Sequence, residues 1–501
     1  MRGARRCTRA AARQPLTPPA AGSGAIVSVP GLPGGRGILT NAHCVADASY
    51  VTLLRHGSSR KSTASVAAVG HEADLALLRC DDPLFWDAAP VVPLPLGDVP
   101  ELQEAVSVVG FPSGGDNLSI TRGVVSRVEL TQYVHGAAHL LAVQLDAAIN
   151  PGNSVRCVAA RARISSPLTP PPAQGGPALR DGGTVVGLAF QNLPAAENIG
   201  FIIPPPIIRR FLSDVVATGS HGGFCTLGVR CQPVENAALR AYLRLPPGVS
   251  GVLVNAVTPL TAAAGAGGLR KDDVLTAFDG VPIGADGTVA LRGRERVSFD
   301  HLVSLKQPGE LARLSLVRDG APAVVELRLA PAPTLVPVQL YDRLPSYFVY
   351  AGLVFAPLSQ PHLHESGEDW FNTAPRKLTD LALHGQLRAR GDQVVLLSQV
   401  LVDDVNAGYQ SFADLQVLAC GGVRVRNLRH LRELLLAEAG AFIRLDLDDD
   451  RVLVLDRAAA EAAHDRILTR HRVPAPVSAD LLREDAEEAA QEARAAAETQ
   501  A

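Results

Sequence analysis

The stretch Ile38-Leu39-Thr40-Asn41-Ala42-His43-Cys44-Val45 decides how this chain is read. Apolar residues run into small and polar ones and stop at a histidine, the pattern of a strand that delivers an imidazole to a turn. Working outward, His71-Glu72-Ala73-Asp74-Leu75-Ala76-Leu77-Leu78 places an aspartate 31 residues after that histidine, at the mouth of another apolar run. Further on, Asp146-Ala147-Ala148-Ile149-Asn150-Pro151-Gly152-Asn153-Ser154 leads an apolar strand into a Pro-Gly-Asn-Ser turn. Taken singly, each is commonplace: a satisfied histidine, a turn aspartate, an ordinary turn. Together they supply what amide hydrolysis by serine requires. A base takes the hydroxyl proton, a carboxylate holds that base in the right tautomer, and backbone N–H groups meet the developing oxyanion. Gly152 tolerates positive φ, so the N–H groups of Gly152 and Ser154 can converge on one point, with Asn153 between them.

The surroundings are strand-rich. From about residue 21 to 215, the runs 37–40, 107–111, 123–129, 141–145 and 184–190 are separated by Gly, Pro, Asn and Asp, which predicts a mainly β sandwich or barrel. After about residue 221 the texture becomes a mixture of strands and short helices. Strands are expected at 251–254, 273–278, 312–318 and 324–329, with a helix at 299–306 and a turn at Asp319-Gly320. A second block repeats that order, with strands at 351–355, 394–401 and 442–447 and a helix at 427–439, a weak internal repeat. Residues from about 478 read as an exposed helix or a disordered tail.

The 501 residues suffice for two to four domains. With 47 basic and 50 acidic residues the net charge is −3, so neither nucleic acid nor an anionic membrane is expected as the main partner. No run of 18 apolar residues is present, so no membrane span is expected. Seven scattered cysteines without a CxxC pair read as isolated thiols of a reducing compartment, and no metal site or cofactor is expected. Arg2, Arg5, Arg6, Arg9 and Arg13 precede the first acidic residue, Asp47. Residues 1–20 read either as an organelle transit peptide or as an arbitrary leader behind a misassigned start.

Thr40-Asn41-Ala42-His43, Ala73-Asp74-Leu75-Ala76 and Asn150-Pro151-Gly152-Asn153-Ser154 resemble the three motifs of HtrA/DegP serine proteases. Gly110-Phe111-Pro112, Gly123-Val124-Val125-Ser126 and Asn198-Ile199-Gly200-Phe201-Ile202-Ile203-Pro204 look like further strands of the same family. Tyr133-Val134-His135-Gly136 and Leu344-Pro345-Ser346-Tyr347 bring the chain nearest to the plant and algal Deg group, and the resemblance spans about residues 21–480. It implies a chymotrypsin-like double β-barrel at 21–220, a PDZ domain at 221–335, a PDZ-like α+β domain at 336–460 and a tail at 461–501. It implies an ATP-independent serine endopeptidase of unfolded or damaged proteins, without metal or nucleotide, assembled as trimers or multiples of them. His43 would be general base and acid, Asp74 its orienting partner and Ser154 the nucleophile, with Gly152, Asn153 and Ser154 forming the oxyanion hole. Ile199, Gly200 and Phe201 would line an apolar substrate pocket. Thr226, Leu227, Gly228 and Val229 would form a carboxylate-binding loop of the first PDZ module. The matching loop Tyr350-Ala351-Gly352-Leu353-Val354 of the second is expected to serve packing instead. Chloroplast or mitochondrion is the expected compartment, nucleus or cytosol the alternative.

Two departures stand out. The family's Ser is followed at once by Gly-Gly-Pro; here Gly175-Gly176-Pro177 come only after the 20 residues 155–174. That segment begins with Val, whose codons start with GT, and ends with Gln, one of whose codons is CAG, so it reads as a retained intron. Were it translated, the alternative is a catalytically impaired PDZ scaffold or chaperone-like binder. The family also carries a strand ahead of Gly22-Ser23-Gly24-Ala25, where this chain has its Arg/Ala/Pro leader, so the first barrel is expected to lack an edge strand. An esterase of another fold is disfavoured, because no Gly-x-Ser-x-Gly elbow surrounds Ser154.

Overall fold

In the first unit, residues 1–222, the burial pattern of each strand reports its place in its sheet. β1 (Gly24–Ser28), β2 (Arg36–Thr40), β3 (Val51–Leu54), β4 (Lys61–Gly70) and β5 (Leu75–Arg79) pair antiparallel in the order β1-β2-β5-β4-β3. β2 and β5 are apolar and buried along almost their whole length, as strands covered on both faces must be, whereas the outer half of β4 alternates buried with exposed residues. Ile38, Val51, Leu53 and Leu78 form the core of this half. A short helix, α1 (Pro83–Asp87), follows β5.

The structure is a computed structural model that describes residues 22–46, 48, 50–87, 91–111, 118–133, 138–147, 176–192, 199–341, 343–367, 370–437 and 440–483. β6 (Ala105–Gly110), β7 (Ser119–Gln132), β8 (His139–Asp146), β9 (Pro177–Arg180), β10 (Thr184–Asn192) and β11 (Ile199–Ile203) close into a barrel in the order β10-β11-β8-β7-β6-β9. Val106, Val108, Val143, Leu145 and Ile202 fill it. Its strand order also describes the first sheet, with one omission. Among the described residues nothing corresponds to β6, and β1 and β3 remain the edges. That is the position of the strand the family carries ahead of Gly22, and residues 1–21 lie outside the described residues. α2 (Pro205–Thr218) ends the unit. Prolines occupy its first turn, where their missing N–H costs nothing, and Gly219 at φ 78° closes it.

The second unit, residues 223–501, carries two α+β modules. In the first, Val229–Pro233, Val252–Val257, Val274–Phe278, Leu311–Arg318 and Ala321–Arg328 form one antiparallel sheet in that order. The last two are joined at Asp319 and Gly320, both with positive φ, the backbone that a two-residue hairpin of this type demands. The helix expected over 299–306 is shorter, Asp300–Ser304, and ends at a cap on Leu305.

In the second module, Phe348–Tyr350, Leu353–Pro357, Val395–Val400, Leu415–Cys420, Phe442–Leu447 and Val452–Asp456 pair in chain order. The helix Leu428–Ala437 packs Leu431 and Leu435 into the core they surround. Its packing runs past the boundary expected at 460. The helix Arg457–His471 buries Ala460, Ala463 and Ile467, and Val477 and Leu481 join the same core. Ala-rich composition disguises a helix whose buried face is made of two alanines and one isoleucine.

Candidate active site

Two neighbouring strands bring the site together. β2 runs out at Thr40, Asn41 stays extended, and the 3-10 turn Ala42–Cys44 carries His43. β4 ends at Gly70, the 3-10 turn His71–Ala73 follows, and Asp74 adopts left-handed angles (φ 53°, ψ 42°) before β5 begins. β2 and β5 are antiparallel, with Thr40 opposite Ala76. The residues just beyond the end of one and just before the start of the other therefore fall side by side, and a 31-residue separation closes to hydrogen-bond distance.

The carboxylate is well held. His43 Nδ1 lies 2.7 Å from Asp74 Oδ2 and 2.9 Å from Oδ1, and the His43 backbone N–H donates to Oδ1 at 2.9 Å. Asn41 Nδ2 donates to both Oδ2 and the backbone carbonyl of Asp74 at 3.2 Å. Asp74 is fully buried, so an unpaired carboxylate there would be costly, and these donors satisfy its oxygens. An ionised carboxylate only accepts, so Nδ1 carries the proton and Nε2 is left as the basic nitrogen of a neutral ring. Burial opposes protonation of His43. The Asp74 charge and hydrogen bond outweigh it, helped by Cys44, and hold the imidazole well above its ordinary 6.5.

In the second half, Ile199, Gly200 and Phe201 open β11, with Gly200 and Phe201 buried and Ile199 half-buried. They lie opposite Asp146, Leu145 and Gln144 of β8. Asp146 is also the first residue of the sequence motif that ends at Ser154. Gly152, Asn153 and Ser154, and the segment 155–174, lie outside the described residues. The described chain resumes at Gly176, whose carbonyl accepts the Ala189 N–H at 2.9 Å, and β9 takes its place between β6 and β10.

In the first α+β module, Gly228 sits at φ 71°, and a Cβ there would come within 2.4–2.5 Å of Thr261. Thr226 Oγ1 accepts the Gly228 N–H at 3.2 Å, and the strand Val229–Pro233 is an edge of its sheet among the described residues. In the second module the corresponding turn is filled from within. Ala351 is fully buried at φ 46°, its N–H donates to His464 Nδ1 at 3.3 Å, and its carbonyl accepts Asn406 Nδ2 at 3.0 Å.

Comparison with known proteins agrees with this architecture. A family profile described as a trypsin-like peptidase domain matches residues 22–154, and two PDZ domain profiles match 225–329 and 336–480. "Protease Do-like 4, mitochondrial" of Arabidopsis thaliana is 43% identical over 453 residues, covering 90% of this chain and 79% of that one. "Protease Do-like 2, chloroplastic" of the same plant is 41% identical over 447 residues, covering 89% and 69%. The chain belongs to the Do-like/DegP protease family.

This Do-like protease is thus a serine-type endopeptidase, a mainly β trypsin-like peptidase domain followed by two PDZ domains. "Serine protease DegP homolog" of Plasmodium falciparum is 27% identical over 515 residues, covering 83% of this chain and 55% of that one. Among solved structures, "HtrA-type protease AlgW with decapeptide" has 22% sequence identity and a TM-score of 0.41, over 64% of this chain and 98% of that one. Among the described residues no three His, Cys, Asp or Glu are grouped to hold a metal ion, and no helix is long and apolar enough to cross a membrane. Sequence reasoning treated Asn41 only as part of a motif. Its amide is the third donor group on Asp74, and the one available signal was its place two residues before the histidine.

Proposed function

We propose that His43, Asp74 and Ser154 form the catalytic triad of this endopeptidase. The observation that carries the reading is the hydrogen bonding of buried Asp74 to both the ring and the backbone of His43. Asp74 holds the tautomer in which Nε2 takes the proton of the Ser154 hydroxyl as Oγ attacks the scissile carbonyl. The imidazolium then returns that proton to the departing amine. The N–H groups of Gly152, Asn153 and Ser154 stabilise the tetrahedral oxyanion, and β11 at Ile199, Gly200 and Phe201 lines an apolar side-chain pocket.

The loop Thr226–Val229 of the first PDZ domain captures extended substrate chains along its open sheet edge, whereas the second domain's filled loop serves packing. The substrates are unfolded or damaged proteins, cleaved without ATP by a trimer or a multiple of one. Relatives named mitochondrial and chloroplastic support an organelle location. Residues 155–174 are an in-frame retained intron, which sequencing of the transcript across that junction tests. A fluorophosphonate probe tests the triad. Labelling of wild type, lost in Ser154→Ala and strongly slowed in His43→Ala, supports it; a wild-type protein that does not label overturns it.

A further inference from the structure

Gly70 is the last residue of β4 and opens the turn that bears Asp74. A Cβ at this position would lie 2.9 Å from Phe211 Cδ2 and 3.0 Å from His221 Cδ2. Two rings therefore press directly on the backbone at the start of the turn. Phe211 comes from α2 and is fully buried. His221 comes from the strap that follows α2, and its side chain is only 4% exposed. The rings meet edge to face, with centroids 5.4 Å apart and planes at 63°.

The strap is itself anchored. Gly219 N–H donates to Val215 O at 2.9 Å, and Thr218 Oγ1 donates to Ser220 O at 2.8 Å. Asp214 Oδ2 accepts the Gly222 N–H at 2.6 Å and lies 3.0 Å from His221 Nδ1, with Arg210 3.4 Å from the same oxygen. A buried ion and hydrogen-bond cluster thus sets where the His221 ring lies. It touches no reacting group, but the ring it aims touches the turn that carries Asp74.

The turn needs such support. Gly70 pairs with Leu75, so only residues 71–74 lie between the last residue of β4 and the first of β5. Asp74 takes left-handed angles (φ 53°), a conformation that aspartate adopts in tight turns, so the direction of its side chain is set by the backbone of this short loop. A shift at Gly70 passes straight along this short loop to the carboxylate.

We propose that the ring of His221, backed by Phe211, is a positioning element that gauges the Asp74 turn through Gly70, and so fixes how that carboxylate meets His43. The proposal rests on the triad reading above and deepens it. A displacement of about 1 Å at a catalytic group costs on the order of 100-fold in rate, so loss of the ring reaches the chemistry without touching substrate.

The test compares His221→Ala, His221→Phe, Gly70→Ala and the double variant Gly70→Ala/His221→Ala. The readouts are Tm, kcat and KM on an unfolded protein substrate, and the titration of the His43 ring followed by histidine-selective NMR. His221→Ala lowers kcat by about 10- to 100-fold with KM near wild type, and lowers the His43 titration midpoint as its contact with Asp74 loosens. His221→Phe, which keeps the ring but drops the hydrogen bond that aims it, restores part of both. Gly70→Ala is impaired in the same way, and the double variant recovers part of the loss because the new methyl enters the vacated space. Variants that lower Tm yet leave kcat and the His43 titration at wild-type values overturn the proposal, as does a His221→Phe variant as impaired as His221→Ala. If the wild type hydrolyses nothing, the triad reading fails, while the His43 titration still decides the positioning role by itself.

Discussion

Replacing Asp74 by Asn exchanges one carboxylate oxygen for an NH2 group with almost no change of shape, so the effect can be worked from the donors around it. Oδ1 receives the His43 N–H and faces Nδ1, each at 2.9 Å; Oδ2 receives Asn41 Nδ2 at 3.2 Å and faces Nδ1 at 2.7 Å. An amide NH2 in the Oδ1 position would oppose a backbone N–H that cannot turn round. The less costly placement puts it at the Oδ2 position, where it points its proton at His43 Nδ1. The ring must then accept at Nδ1 and carry its proton on Nε2, the tautomer that cannot take a proton from Ser154. A buried carboxylate that fixes a tautomer in this way is worth about ten-thousand-fold in kcat, or about 5 kcal/mol of transition-state stabilisation. KM stays near wild type, because Asp74 is wholly buried and meets no substrate. The assay is steady-state hydrolysis of a peptide substrate by Asp74→Asn and wild type, with the rate of fluorophosphonate labelling in parallel. A kcat within about 10-fold of wild type would refute the reasoning, since an indifferent tautomer leaves Asp74 no catalytic part.

Further outcomes follow from the same structure. Because His43 must be neutral to act and its Asp74 contact raises its pKa, activity falls with decreasing pH along a limb centred above 6.5; a pH profile of kcat/KM with its limb below 6.5 contradicts this. His301 is buried, its Nδ1 has no partner among the described residues, and burial pushes its pKa down to about 4. The folded form thus binds fewer protons than the unfolded one. Its contribution is fully present above 6.5 and is lost as pH falls through 4, in total about 3 kcal/mol, so urea unfolding at pH 7 and pH 4 should show a smaller difference in His301→Leu than in wild type. Gly228→Ala places a methyl against Thr261 at positive φ and should destabilise the first PDZ domain by about 1–3 kcal/mol while weakening peptide binding. Gly352→Ala, whose Cβ would meet Leu401 O at 2.4 Å, should lower Tm and leave peptide binding at wild-type strength; fluorescence anisotropy with a labelled peptide separates the two.

Much of the fold was legible where the cause is local. The run 442–447 is a strand over those same residues, and the Asp319-Gly320 pair makes the hairpin its composition demands. Asn427, expected as the first helical residue, caps its helix instead, its Oδ1 accepting the His430 N–H at 2.8 Å. Residues 461–481 are expected as tail yet carry on the packing of the second module, because alanines facing a core look the same in sequence as alanines facing water.

His43, Asp74 and the glycines of the loops could be picked out by residue type and spacing, since the chemistry of an imidazole, a carboxylate or a residue without Cβ is written into its identity. That Asp74 meets His43 at 2.7 Å, that Asn41 completes its donor set, and that the His221 ring bears on Gly70 depended on sheet register and on how α2 and its strap pack. Local sequence rules act over a handful of residues. Contacts between residues 31 or 151 positions apart in the chain exist only once antiparallel pairing and close packing have set the elements against one another.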